Sequence, residues 1–166
     1  LQIVAGIDTT WSAIGSGLWH FAQHNDEVQR LVAVPNDDPL WNTANEEVLR
    51  YYAPVTMARK VINDVEIAGC PMRAGEQTLV TFPAANHDPA AFEDAHIFQL
   101  DRQDNRHVAF GVGIHRCAGS NLARLEMLVA FQEWLRAFPN YSLDPNNKTT
   151  WANGQVRGPR QIPVLL

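Results

Sequence analysis

The chain has 166 residues, with 13 Lys+Arg against 18 Asp+Glu and a formal net charge of −5. At 46% apolar and 19% charged residues it has an ordinary globular composition, which excludes a collagen-like or disordered chain, and its acidic balance argues against a nucleic-acid binder, whose phosphate contacts need clustered Lys and Arg. No apolar run reaches the roughly 18 residues of a bilayer span, and the two cysteines, Cys70 and Cys117, make neither a disulfide framework nor a four-ligand zinc site.

In chain order, Ile3, Ile7, Trp11, Ile14, Leu18 and Phe21 recur at steps of three and four, which predicts a helix with one apolar face. No capping residue precedes Leu1 and no signal-peptide pattern is present, so this helix is expected to begin mid-element. A second helical stretch is expected over 26–34, a turn-rich break over 35–39, and a third helix over 43–52. The third stops before Pro54, because the residue before a proline disfavours the helical region. Short β-branched runs at 60–62, 65–67 and 78–82, split by Asn63-Asp64, Gly69 and Ala74-Gly75, read as small antiparallel strands. Cys70 is expected in a small hairpin. Residues 83–107 read as mostly irregular, with a turn at His87-Asp88-Pro89, and a long loop of that kind usually carries function. After Gly119 a helix is expected to Phe138. Leu122, Leu125, Leu128, Val129, Phe131 and Leu135 leave it little polar face, which predicts a core helix. The tail reads as short strands broken by Pro145, Gly154, Gly158 and Pro163. The fold class expected is mainly α with small β-sheets, an α+β arrangement.

The chemistry concentrates in Phe110-Gly111-Val112-Gly113-Ile114-His115-Arg116-Cys117-Ala118-Gly119. The glycines allow a tight turn and close approach of the backbone to a large flat group. A cysteine just before a helix meets free N–H groups and the positive end of the dipole, which favour a thiolate, the form a metal needs. A lone buried cysteine is the commoner case, but the surrounding pattern reverses that preference. Phe110-Gly-x-Gly-x-His115-x-Cys117-x-Gly119 resembles the haem-binding loop of the cytochrome P450 family, and His115, where many eukaryotic members carry Arg, resembles the soluble bacterial branch. The resemblance implies that Cys117 is the axial thiolate ligand of a haem iron. It also implies that His115 meets a haem propionate, that Phe110 packs near the proximal face, and that Gly111, Gly113 and Gly119 shape the loop.

Other segments take meaning beside that loop. Glu47 and Arg50, at i and i+3, would alone read as a surface ion pair of little weight. The family shows a Glu-x-x-Arg at this separation from the cysteine, in a buried structural network with a further Arg, and Arg102 matches that third position. In Ala5-Gly6-Ile7-Asp8-Thr9-Thr10, a mid-helix Gly and a Thr able to bond back to the i−4 carbonyl weaken the helix. The resemblance implies the distal-helix kink, with Gly6 giving room to the ring and Asp8 and Thr9 relaying protons. By the same resemblance Arg59 binds a propionate, while Val55, Thr56 and Met57 are candidate substrate contacts. The segment Asn86-His87-Asp88 departs from the family's common Asn-Arg-Asp. His20, His24, His87, His96 and His107 show no metal-ligand spacing and are expected to be exposed or hydrogen-bonded.

The likeness runs along all of 1–166 and implies the carboxyl-terminal portion of a single cytochrome P450 domain, without its amino-terminal part. The activity implied is that of a haem-thiolate monooxygenase. It would use haem b, O2 and electrons from NAD(P)H, delivered by a ferredoxin or flavoprotein, to oxidise an apolar small molecule in the cytoplasm. Arg106 and Arg116 are candidate contacts for an acidic partner. The rival expectation is a truncated haem-binding or remnant protein without turnover.

Overall fold

The computed structural model describes residues 2–166, with side chains from residue 5 onward. Leu1 and the side chain of Ile3 lie outside the described residues. Helix α1 (Gln2–Phe21) is followed by α2 (Asn25–Val32) and α3 (Pro39–Tyr52). Helix α3 starts four residues before the predicted boundary. Pro39 occupies its first turn, and the Asp38 carboxylate accepts the Leu40 N–H at 2.9 Å, a cap the turn-rich reading of 35–39 overlooked.

The strands form four two-stranded antiparallel sheets among the described residues. Strand β1 (Thr56–Lys60) pairs with β4 (Gln77–Thr81), and β2 (Val65–Ile67) with β3 (Cys70–Met72), which places exposed Cys70 in a hairpin. The strand expected at 60–62 lies earlier, because the chain turns at Asn63-Asp64 and only Val61 extends the pairing past Lys60, its N–H bonded to Glu76 O at 2.9 Å and its O accepting the Gly75 N–H at 2.8 Å. Phe82 leaves β4 for the short helix α4 (Phe82–Ala85), with Pro83 in its first turn. Helix α5 (Ser120–Ala137) follows the irregular stretch and the cysteine loop. At the end, β5 (Ser142–Leu143) pairs with β8 (Val164–Leu165) and β6 (Thr150–Asn153) with β7 (Arg157–Gln161).

Helices α1, α3 and α5 enclose the core. Gly17 of α1 faces the edge of the Phe131 ring on α5, and Phe21 meets that ring edge-on at 5.6 Å. Val28, Leu31, Trp41, Val48, Met127 and Leu135 are buried around them. One face of α5 turns inward through Met127, Phe131 and Leu135, but Leu122, Leu125 and Val129 are exposed. The expectation of a core helix is corrected to that extent: apolar content states what a helix can bury, not what covers each face. On α1, Ile7 and Trp11 are likewise exposed.

Strand β7 lies against α1. A Cβ on Gly158 would collide with the Ser12 side chain and come within 2.8 Å of Ser12 Cα, whereas Gly154 has open space around it. Gly158→Ala is therefore expected to lower stability by about 1–3 kcal/mol through overpacking, and Gly154→Ala to change it little. Urea titrations of the two variants check this, and equal midpoints would contradict the tight α1–β7 contact.

Candidate functional site

The loop before α5 is shaped by backbone conformation. Gly111 and Gly113 have φ of 69° and 67°, in the left-handed region where a side chain is strained. The Gly111 N–H bonds to Val108 O at 2.8 Å, and a 3-10 turn (Gly113–His115) closes with the Arg116 N–H on Gly113 O at 3.1 Å. The Cys117 N–H then reaches back to Phe110 O at 2.9 Å. This return places an exposed Cys117 two residues before Gly119, the N-cap of α5, whose first N–H groups have no side-chain cap. Gly119 has an ordinary φ of −85°. A Cβ there would sit 3.9 Å from Cys117 Sγ, in normal contact. A Cβ on Gly111 would be in ordinary contact with the Phe82 ring, so the loop lies against the start of α4.

An exposed thiol on such a loop is a metal ligand in kind. Among the described residues no three His, Cys, Asp or Glu side chains converge on one point. His115 and Arg59 are exposed and form no ion pair among the described residues. Arg59 bonds only to the adjacent Ala58 carbonyl. An Arg59 guanidinium and a His115 imidazole outside any ion pair, an exposed thiol and a bare glycine loop suit a flat, anionic, metal-bearing group such as haem.

Helix α1 runs unbroken through the Gly6 segment. Gly6 has open space where a side chain would stand. The Thr9 hydroxyl donates to Ala5 O at 2.6 Å, an i−4 bond that leaves its lone pairs outward. Asp8 is paired: Arg160 on β7 places Nη1 at 2.7 Å from Oδ1 and Nη2 at 3.4 Å from Oδ2, and also reaches Ser12 Oγ at 3.3 Å. Nothing in the local spacing points to Arg160, which lies at the other end of the chain.

The structure brings Glu47, Arg50 and Arg102 together in the interior. Glu47 and Arg50 are fully buried. Arg50 forks onto the carboxylate through Nε and Nη2, both at 2.8 Å, and Arg102 Nε lies 3.1 and 3.2 Å from the two oxygens. The Gln99 N–H and Asn105 Nδ2 complete the shell at 2.8 and 3.1 Å. The guanidiniums spend their remaining donors on the carbonyls of Asn86, Glu93, Asp94, Ala95 and Ile97, which organises the irregular stretch after α4. Asn86, buried, donates to Arg50 O and accepts from the Val108 N–H. Beside Glu47, Glu46 points to a second set of partners. Arg124 meets it at 2.6 and 2.9 Å and His107 Nε2 at 3.0 Å. Burial pushes the Glu46 carboxyl up, but the His107 and Arg124 hydrogen bonds outweigh it and hold the group at about 2.

Val55 and Thr56 join the opposite hairpin: Val55 bridges Val156 and the Thr56 N–H meets Gln155 O at 3.0 Å. Met57 Sδ accepts from Gln155 Nε2 at 3.9 Å. His107 is hydrogen-bonded, one of the two outcomes expected for it, and Asn86 enters the sequence reading only within Asn86-His87-Asp88, whereas Glu46, Arg124 and Arg160 are not singled out there as pairs. The doubled carboxylate Glu46-Glu47 was the one local signal available.

Residues 36–161 match the family model described as Cytochrome P450. The chain is 38% identical over its whole length to the polyketide biosynthesis cytochrome P450 PksS of Bacillus subtilis, of which it covers 41%, and superposes on that protein's crystal structure with a TM-score of 0.88. It is 36% identical to the steroid C26-monooxygenase of Mycolicibacterium smegmatis, again covering 41% of it. The structure of CYP109E1 from Bacillus megaterium in complex with testosterone matches over 97% of this chain and 44% of that one, at 32% identity and a TM-score of 0.89. The chain thus spans about two fifths of the length of the curated relatives it matches. The arrangement of helices and small sheets is that of these proteins, and the chain belongs to the cytochrome P450 family.

Proposed function

We propose that the protein carrying this chain is a haem-thiolate monooxygenase, inserting one oxygen atom of O2 into an apolar small molecule, and that residues 1–166 are the carboxyl-terminal portion of its single domain. The observation that carries this reading is the exposed Cys117 sulfur, held on a glycine-shaped loop at the start of α5 in a chain of this family. Cys117 would supply the thiolate, and the Arg59 guanidinium and the His115 ring would meet the propionates of haem b. When bound, the haem supplies O2 activation, which a thiolate ligand favours by donating electron density. Gly6 leaves room beside α1. The Thr9 hydroxyl, anchored on Ala5 O, can hold a water and pass a proton. Asp8 can take and return a proton, with Arg160 holding its carboxylate in place. Val55, Thr56 and Met57 are the proposed substrate contacts. Arg106 and Arg116 are proposed to meet an acidic ferredoxin or flavoprotein that relays electrons from NAD(P)H. No described helix is long and apolar enough to cross a membrane, and a cytoplasmic site of action is part of the proposal.

The test uses the complete polypeptide with a ferredoxin–reductase pair, NADPH and ¹⁸O2. Relatives named for polyketide biosynthesis and steroid oxidation set the substrate panel. One ¹⁸O atom per product molecule is expected. Haem-loaded protein that consumes no O2 with any panel member would favour a haem-binding protein without turnover. Thr9→Ala is expected to lower product formation on the order of 100-fold while diverting consumed O2 to H2O2. Unchanged product per O2 would remove Thr9 from proton delivery.

A further inference from the structure

A second carboxylate network lies next to the Glu47 cluster and has a different address. Glu46 on α3 takes a two-point fork from Arg124 on α5, at 2.6 and 2.9 Å. The Arg124 guanidinium lies 4.6 Å from the centroid of the Phe110 ring, within cation–π range. On its other side, Glu46 Oε2 receives His107 Nε2 at 3.0 Å. The buried His107 ring is oriented by the Ala109 N–H, 3.2 Å from Nδ1. A backbone N–H can only donate, so Nδ1 accepts and the ring proton sits on Nε2, toward Glu46. The Asn45 amide holds Arg124 O at 3.0 Å. Phe110, under the guanidinium, is the residue whose carbonyl receives the Cys117 N–H at 2.9 Å. From Glu46 a short chain of contacts therefore reaches the cysteine by two routes, one through His107 and Ala109 and one through Arg124 and Phe110. Among the described residues the Glu46, Arg124 and His107 side chains make no hydrogen bond to Glu47, Arg50 or Arg102, and the two networks meet only where the Val108 N–H bonds to Asn86.

We propose that Glu46 and Arg124 are positioning residues for the cysteine loop: the ion pair holds Phe110 and the His107–Ala109 segment, and so fixes the backbone that presents Cys117 and sets the charge felt at its sulfur. The proposal rests on Cys117 as a haem ligand. Three features carry it. A forked, charge-assisted pair is geometrically demanding. The Arg124 guanidinium lies over the Phe110 ring, 4.6 Å from its centroid, and the Phe110 carbonyl receives the Cys117 N–H, so the charge sits one residue contact from the cysteine backbone. The pair also joins two core helices to the loop, so loop position is inherited from the α3–α5 packing.

The experiment compares Glu46→Gln, Arg124→Leu and Arg124→Lys in the complete haem-loaded protein by amide hydrogen exchange and by redox titration. Loss of the fork is expected to speed exchange at Ala109 and Cys117 about tenfold or more in all three. The potentials separate positioning from general destabilisation. Glu46→Gln leaves an uncompensated cation and shifts the haem potential upward. Arg124→Leu leaves an uncompensated anion and shifts it downward. Arg124→Lys keeps the charge and stays near wild type. Wild-type exchange at both amides, or potential shifts of the same sign in Glu46→Gln and Arg124→Leu, would overturn the proposal. The parent reading fails separately, if wild-type protein lacks the CO spectrum of a thiolate-ligated haem. In that case the exchange rates still decide whether the pair holds the loop.

Discussion

Glu47→Gln is expected to cost about 3–5 kcal/mol of folding stability, the usual consequence of breaking a buried ion pair by removing one partner. The two guanidiniums of Arg50 and Arg102 converge on this one carboxylate, and both Glu47 and Arg50 have side chains with no solvent exposure. Gln keeps the shape and one acceptor oxygen. It removes the only anion among five donors and presents an NH2 group to cations that already donate. A domain holds only about 5–15 kcal/mol in total, so this change takes a large share of it. The damage is also directed. Arg50 and Arg102 bind carbonyls from Asn86 to Ile97, and Asn86 holds Val108 at the entrance of the cysteine loop. Loosening the cluster therefore loosens the segment that leads to Cys117. Urea unfolding followed by circular dichroism measures the loss. The control is Arg30→Gln, which breaks the exposed Arg30–Asp101 pair at 2.8 Å and is expected to change stability by less than about 1 kcal/mol. Equal midpoints for the two variants would refute a fold-defining role for the buried cluster.

Local pattern was enough for the helices and too little for the interior contacts. The spacing of Ile14, Leu18 and Phe21 finds the packed face of α1, and Ile7 and Trp11 continue the same stripe onto solvent. Periodicity locates an apolar face but carries no information about its neighbour. The same limit explains Leu122, Leu125 and Val129 on α5. The third helix began early because Asp38 and Pro39 act as cap and first turn, whereas the reading treated the prolines only as breakers. The strand expected at 60–62 shows how β-branched residues just beyond a strand draw its boundary past Lys60, the last ladder residue.

At the site, the loop from Phe110 to Gly119 was readable because its constraints are local: two left-handed glycines, a returning hydrogen bond and a helix start lie within ten positions. Spacing alone makes Glu47 and Arg50 an i, i+3 pair; their burial with Arg102 is legible only through the family resemblance, since burial comes from the stretch that wraps them. The pairs Asp8–Arg160 and Glu46–Arg124 span 152 and 78 positions. Such pairs obey no sequence spacing and become visible only when β7 lies on α1 and α5 lies beside α3. The departure at His87 from the family's usual Arg also has a local account. The ring donates from Nδ1 to Pro83 O at 2.8 Å and stacks on His96, while its neighbour Asn86 carries the contact to Arg50.

The central claim is that Cys117 is the thiolate ligand of a haem, and one spectrum tests it most directly. The geometry leaves a single exposed sulfur at the start of α5, and the other cysteine, Cys70, lies in the β2–β3 hairpin. The complete haem-loaded protein, reduced under CO, is expected to show the strongly red-shifted Soret band of thiolate ligation. Cys117→Ser is expected to lose that band entirely while the protein stays folded by circular dichroism, and Cys70→Ser to keep it. Persistence of the red-shifted band in Cys117→Ser, or its absence from folded, haem-loaded wild type, would contradict the account.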